Sequence, residues 1–214
     1  MRQTIDLSRE WLFTGMDGQT VKVNIPHTWN NIDGQDGGND YKRGSCTYEH
    51  TFACPQFDAQ GEEVYLEFDG VNSSAKVSLN GQDVCSHDGG YSTFRANITA
   101  MLEGENHLTV VVDNSKNDTV YPQKADFTFY GGIYRGVRLV IVKKAHFAMD
   151  YLGSCGVRVT AEPKCEGASV RVLSRVTAGD VVVTILDHAG KTVVSGNGAD
   201  VTLTMDKARR WHSV

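Results

Sequence analysis

The chain has 214 residues, 40% of them apolar, and a formal net charge of −5, which is material for one or two packed cores and excludes a disordered chain. Both signs of charge are scattered along it, which argues against nucleic acid and anionic membrane as partners. Its 22 glycines, 4 prolines and many Val/Thr-rich runs point to frequent turns and an all-β protein.

The opening MRQTIDLSREWLF has no apolar stretch of the kind a signal peptide needs. No later segment approaches the ~20 apolar residues of a membrane helix. The expected location is the cytoplasm, or the periplasm or exterior where a leader has been removed. The first predicted strand is Val21–Ile25, followed by Thr47–Phe52 and Val64–Phe68. Ala75–Leu79 then meets Asn80-Gly81, and Val84 and Cys85 start the return. Asn-Gly between extended runs marks a two-residue hairpin, because both central positions need positive φ. Phe94–Leu102 is read as a helical turn, His107–Asp113 as a strand covered on both faces, and Tyr134–Val142 as the last strand of this block.

The texture changes after about residues 143–150. Val157–Thr160, Ser169–Thr177, Asp180–Leu186 and Ala199–Met205 alternate as Val/Thr-rich strands, with a turn at Asp187–Gly190. The reading is a jelly-roll, galactose-binding-like β-sandwich over residues 1–145. An immunoglobulin-like β-sandwich over residues 146–214 follows. Four or five strands in that second block fall short of the ~7 of a complete sandwich, so it is expected to be incomplete, with the chain cut inside a domain.

The cysteines, Cys46, Cys54, Cys85, Cys155 and Cys165, are odd in number and show no CxxC spacing. Neither structural zinc nor a disulfide framework is expected, and buried reduced thiols are. No P-loop, GxGxxG, HExxH or GxSxG is present. Glu62-Glu63 reads as a solvated strand edge, not as a catalytic pair. The unusual material is polar and aromatic residues gathered in four segments: Pro26–Asn30, Gly37–Gly44, Gly89–Phe94 and Asp126–Arg135. Aromatic rings pack on the apolar face of a pyranose, while Asn, Asp and Arg answer its hydroxyls. The same residues serve equally as core plugs and turn formers.

Seven elements in order resemble the amino-terminal domain of family 2 glycoside hydrolases. They are Trp11-Leu12-Phe13, Pro26–Trp29, the Tyr-x-Arg-Gly loop and strand Tyr41–Phe52, Leu66–Gly81, His87–Phe94, Gly104–Asn114 and Gly131–Arg135. Residues 150–214 are similar to the second, immunoglobulin-like domain of that family, mainly through Ala208–His212. The resemblance implies a retaining exo-glycosidase of β-galactosidase type. Its two catalytic glutamates, about 5 Å apart, would lie on a (β/α)₈ barrel too large for the residues that remain.

This chain alone is therefore expected to hold no catalytic residue or cofactor and to be inactive. It would wall the substrate pocket and support the missing barrel, its partner within the same protein. The resemblance places Asp126, nine residues before Arg135, on the terminal sugar, with a sodium ion as a second ligand. A carboxylate suits either role, and also a plain turn at a strand end. Asn39, Asp40, Tyr41 and Arg43 would form the other sugar-facing loop. Arg135 is read as a structural pin. A sodium or magnesium ion in the whole enzyme and a homo-oligomer are allowed. So are two other readings: a standalone lectin-like module binding a β-galactoside or related carbohydrate, and a fragment of a β-glucuronidase or β-mannosidase.

Overall fold

The computed structural model describes residues 2–33, 41–121, 129–151 and 153–209. Its strands are β1 (Gln3–Asp6), β2 (Trp11–Thr14), β3 (Thr20–Val23), β4 (Ser45–Ala53), β5 (Glu62–Phe68), β6 (Ser74–Leu79), β7 (Gln82–Asp88), β8 (Phe94–Asn97), β9 (Glu105–Asp113), β10 (Val137–Lys143), β11 (Val157–Lys164), β12 (Gly167–Ser174), β13 (Val182–Leu186), β14 (Thr192–Asn197) and β15 (Asp200–Met205). The chain divides into two compact units, Met1–Lys143 and Lys144–Val214. The protein is all-β, as the composition predicts.

In the first unit a four-stranded sheet, β1-β10-β5-β8, packs on a six-stranded sheet, β3-β2-β4-β9-β6-β7. Alternation decides which face each strand buries. In β9, Asn106, Leu108, Val110 and Val112 are buried, while the residues between them face outward. In β4, Cys46, Tyr48 and Phe52 turn inward with His50 among them, its ring stacked on Trp11 at 4.9 Å. Leu66, Phe68, Leu139 and Ile141 close the core from the other sheet. The Asn-Gly hairpin forms as expected: Asn80 and Gly81 have φ of 52° and 77° between β6 and β7.

The segment 94–102 departs from expectation. Its first four residues are a strand, because Phe94 stacks on Phe68 at 4.8 Å and the backbone pairs with β5. Only Thr99–Met101 coils, as a single 3-10 turn, started where the Asn97 side chain accepts from Thr99 N at 3.0 Å. The expected strand over 134–142 begins only at Val137, since Tyr134 is tied to a neighbouring loop through its hydroxyl. Glu62 is a cross-strand partner of Lys143, whose Nζ donates to it at 2.9 Å.

In the four-stranded sheet Asp6, Arg138, Glu67 and Arg95 stand opposite one another. Glu67 is buried and accepts from Arg95, Arg138 and Arg2. Arg138 reaches Asp69 as well.

The second unit has a three-stranded sheet, β11-β12-β15, and a two-stranded sheet, β13-β14. The strand Thr192–Asn197 follows the predicted turn and was not foreseen. Among the described residues its buried apolar side chains are Met149, Val170, Val172, Val181 and Leu203. Gly196 lets β14 approach Leu203 and Val201. All five cysteines are free thiols. Cys46 is buried and Cys54 and Cys85 are half-buried, with burial pushing Cys85 up to about 11. Cys155 and Cys165 are exposed, against expectation, because this unit has little interior to hold them.

Burial pushes the imidazoles of His27, His50 and His87 below the usual value of 6.5. The unfolded chain therefore takes up protons first as pH falls. The stability these neutral rings contribute is present above pH 6.5 and is lost as pH falls through their folded values. Burial would raise the Glu67 carboxyl, but its arginines hold it below 4.5, so its own loss comes at lower pH. Melting at pH 7.5 and pH 5.5 should give a lower Tm at the acidic value. An equal or higher Tm there would contradict the burial of these rings.

Candidate functional site

The connections 24–44, 69–73, 89–93 and 114–136 all leave the same end of the first unit, since Ser45, Asp113, Ser74 and Asp88 are aligned across β4, β9, β6 and β7. Three buried asparagines join them. Asn30 Nδ2 donates to the Phe129 carbonyl at 3.0 Å, and its Oδ1 accepts from Gly131 N at 2.8 Å and from the Thr28 hydroxyl at 2.9 Å. Asn72 Nδ2 donates to the Tyr130 carbonyl at 2.9 Å, while its backbone exchanges two 3.0 Å bonds with Gly132. Asn114 Nδ2 donates to the Lys42 carbonyl at 3.1 Å, and its Oδ1 accepts from Gly44 N at 2.8 Å. Asn30 and Asn114 both donate and accept through their side-chain amides, and Asn72 donates through its side chain while its backbone pairs on both sides, which is how buried polar groups are kept satisfied.

Two glycines permit this approach. A Cβ on Gly131 would lie 2.5 Å from the Trp29 ring and 2.6 Å from Asn114 Nδ2. A Cβ on Gly132 would lie 2.6 Å from both the His27 carbonyl and the Tyr48 hydroxyl. Beneath them, Phe13, His27 and Tyr48 pack with ring centroids within 5.7 Å of one another, and His27 Nδ1 lies 2.8 Å from the Tyr48 hydroxyl.

Much of the aromatic material is thus packing. Trp29 stacks on Phe13 at 6.1 Å and donates Nε1 to the Lys42 carbonyl at 3.2 Å. His87 stacks on Phe94 at 4.3 Å and holds the Gly89 turn. Arg135 pins the carbonyl of Tyr91 at 3.1 Å and lies over the Tyr134 ring, the structural part expected of it.

Of the predicted sugar-facing residues, Tyr41 and Arg43 are described, and Asn39, Asp40 and Asp126 lie outside the described residues. The Tyr41 ring meets Phe129 edge-on at 5.9 Å. The Arg43 guanidinium lies 5.6 Å from the Tyr41 ring centroid and donates to the Asn114 carbonyl at 3.3 Å. Lys42 N donates to Asp33 Oδ2 at 2.6 Å, closing the base of the connection that carries Asn39 and Asp40. The structure therefore brings together Tyr41 and Phe129, the described neighbours of the segments bearing Asn39, Asp40 and Asp126. Among the described residues no cluster of three or more His, Cys, Asp or Glu could hold a metal ion.

Asn30, Asn72 and Asn114 thus form a clasp across the connections, and removing one clasp amide should cost about 2 kcal/mol, because it strands buried partners. Asn30→Ala is expected to lower the urea midpoint accordingly. Asn117→Ala, outside the clasp, is the comparison. Equal effects would contradict a special role for Asn30.

The family model for glycosyl hydrolases family 2, sugar binding domain, matches residues 22–143. The chain belongs to glycoside hydrolase family 2. It is 35% identical to a β-glucuronidase of Bacteroides fragilis over 94% of this chain and 30% of that protein. It is 29% identical to a β-galactosidase of Thermoanaerobacter pseudethanolicus over 72% of this chain and 22% of that protein. Among solved structures, the FMN-binding β-glucuronidase of Facaelibacterium prausnitzii L2-6 superposes with a TM-score of 0.85 at 38% identity, covering 99% of this chain and 35% of that one. This family 2 chain therefore spans about a third or less of the length of these relatives.

Proposed function

We propose that this chain is the sugar-binding front region of a longer retaining exo-glycosidase, with β-glucuronides as its substrate class. The match of residues 22–143 to the sugar-binding domain carries the first part. The β-glucuronidases of B. fragilis and F. prausnitzii, at 35% and 38% identity, support the second. The β-galactosidase type expected from the motifs is the alternative, supported by the 29% identical T. pseudethanolicus enzyme. Motif residues such as Trp29, Asn72 and Asn114 pack or join the loops, so they do not discriminate between the two sugars.

In this reading the clasp acts as a rigid base for the sugar-contacting residues. Asp126 would accept hydroxyls of the terminal sugar, and Asn39, Asp40, Tyr41 and Arg43 would border the same subsite. A carboxylate aimed at hydroxyls gives charge-assisted hydrogen bonds, and a fixed base lowers the ordering cost of binding. Two carboxylates outside these 214 residues would do the chemistry.

The test is hydrolysis of 4-nitrophenyl β-glucuronide and 4-nitrophenyl β-galactoside by the longer protein that carries this chain, beside the 214-residue chain alone. The expected result is turnover of the glucuronide by the longer protein and none by the chain. Preference for the galactoside would reverse the substrate assignment. Turnover by the chain alone, abolished by a substitution within it, would overturn the whole reading.

A further inference from the structure

The outer face of the six-stranded sheet carries a groove that the clasp does not use. Ser45, Asp113, Ser74 and Asp88 stand in one row across β4, β9, β6 and β7. Their chain neighbours Cys46, Val112 and Ala75 are buried, so this row points away from the core. Thr47, Val111 and Lys76 form the next row on the same face.

The loop after β9 lies against this face and is tied to it. Asn117 Nδ2 donates to the Ser74 hydroxyl at 2.9 Å, and the Thr119 hydroxyl donates to Asp88 Oδ2 at 3.2 Å. Between loop and sheet is an open groove of about 630 Å³ that also takes in Lys116 and Asp118. Small-ligand sites typically occupy roughly 300–1,000 Å³.

We propose that this groove is a second carbohydrate-binding site, taking a neutral pyranoside unit of an oligosaccharide. Hydroxyls and carboxylates alternate along the row Ser45, Asp113, Ser74 and Asp88 at strand spacings of ~4.8 Å, with the ammonium groups of Lys76 and Lys116 beside it, and such a set can both donate to and accept from sugar hydroxyls. The side chains of Lys76, Lys116 and Asp118 line the groove and make no hydrogen bond or ion pair to another described residue. Three carboxylates face two ammonium groups, so a uronate is disfavoured relative to a neutral sugar. Ser45, Ser74, Asp88 and Asp113 stand on strands already fixed, so binding orders little of the backbone, while the Lys76 and Lys116 side chains must be ordered. The lining has no aromatic ring, which keeps the affinity low. The inference does not depend on which glycoside the longer protein cleaves.

The test is a nitrogen-15 NMR titration of the 214-residue chain with methyl β-galactoside, repeated with sodium glucuronate. The expected result is saturable shifts at the amides of Lys76, Val111, Asp113 and Ser115, with a Kd on the order of 10 mM and weaker binding of glucuronate. Asp113→Asn with Lys76→Ala should weaken binding about tenfold while the rest of the spectrum is unchanged. Lys76→Ala alone, which removes only an outward side chain, covers the case in which the double variant misfolds. Shifts confined to residues 41–44 and 129–132 would overturn the proposal while supporting sugar contact at the clasp. No saturable shift at the groove, shifts that survive the variants, or tighter binding of glucuronate would also overturn it.

Discussion

Gly132→Ala is expected to destabilise the first unit by about 3 kcal/mol. Gly132 has φ of 129°, a conformation that side chains rarely adopt. A Cβ there would also press on the His27 carbonyl and the Tyr48 hydroxyl, both 2.6 Å away. Neither can retreat cheaply: the first belongs to backbone bonded in the clasp, since His27 N donates to the Ile133 carbonyl at 2.8 Å, and the second sits in the aromatic core. Gly81→Ala is the control. Its φ of 77° is also positive, but nothing lies within 4 Å of its Cβ position, so it carries the backbone strain without the collision. Urea denaturation of both variants should show the Gly132 change costing at least 1 kcal/mol more than the Gly81 change, the low end of an overpacking penalty. Equal costs would mean that the close approach at Gly132 contributes nothing.

Glu67→Ala is the second large effect, about 3 kcal/mol. The carboxylate is almost fully buried, and Arg95, with a side chain only 13% exposed, donates to it. Arg138 and Arg2, at 34% and 52%, can recover water, which places the cost at the low end for a broken buried pair. Glu67→Gln should cost less, since it keeps the shape and one acceptor while losing the charge. The carboxyl lies below its ordinary 4.5, so its contribution is present above pH 4.5 and lost as pH falls through the folded value. The deficit of Glu67→Ala relative to the parent should therefore shrink in melts below pH 4.5. A pH-independent deficit would assign the loss to packing instead of charge.

The strands were legible where one face is buried and the other is wet. β4 and β6 alternate cleanly, and Asn80-Gly81 sets its hairpin by local backbone preference alone. β9 was expected to be covered on both faces, but only Asn106, Leu108, Val110 and Val112 are buried, because the run Val110-Val111-Val112 hides the alternation in the sequence. The short strands β1 and β2 were not read as strands, because four residues carry too little periodicity. β14 was missed because it is mostly exposed, with Ser195 and Gly196 in place of apolar residues. In segment 94–102, long-range pairing of Phe94 with Phe68 overrode a local helical preference.

The candidate site was legible in part. The clusters Pro26–Asn30 and Gly131–Arg135 stood out, but composition could not separate a ring that packs in a core from one that meets a sugar. The three clasp asparagines lie inside segments singled out in the sequence, but nothing there marked them as buried. A buried Asn looks like any loop Asn until its partners, 99, 58 and 72 positions away, are known. Their positions, Asn30 after Pro26–Trp29, Asn72 after Gly70-Val71 and Asn114 after Asp113, were the available clue.

In the proposed function the loop end of the first unit meets the substrate of a longer enzyme. The most direct measurement is kcat/KM of Asp126→Asn in that protein with 4-nitrophenyl β-glucuronide. Losing a charged hydrogen bond to the sugar should lower kcat/KM roughly ten- to hundredfold, with the Tm unchanged. Full activity in a folded Asp126→Asn protein would contradict it.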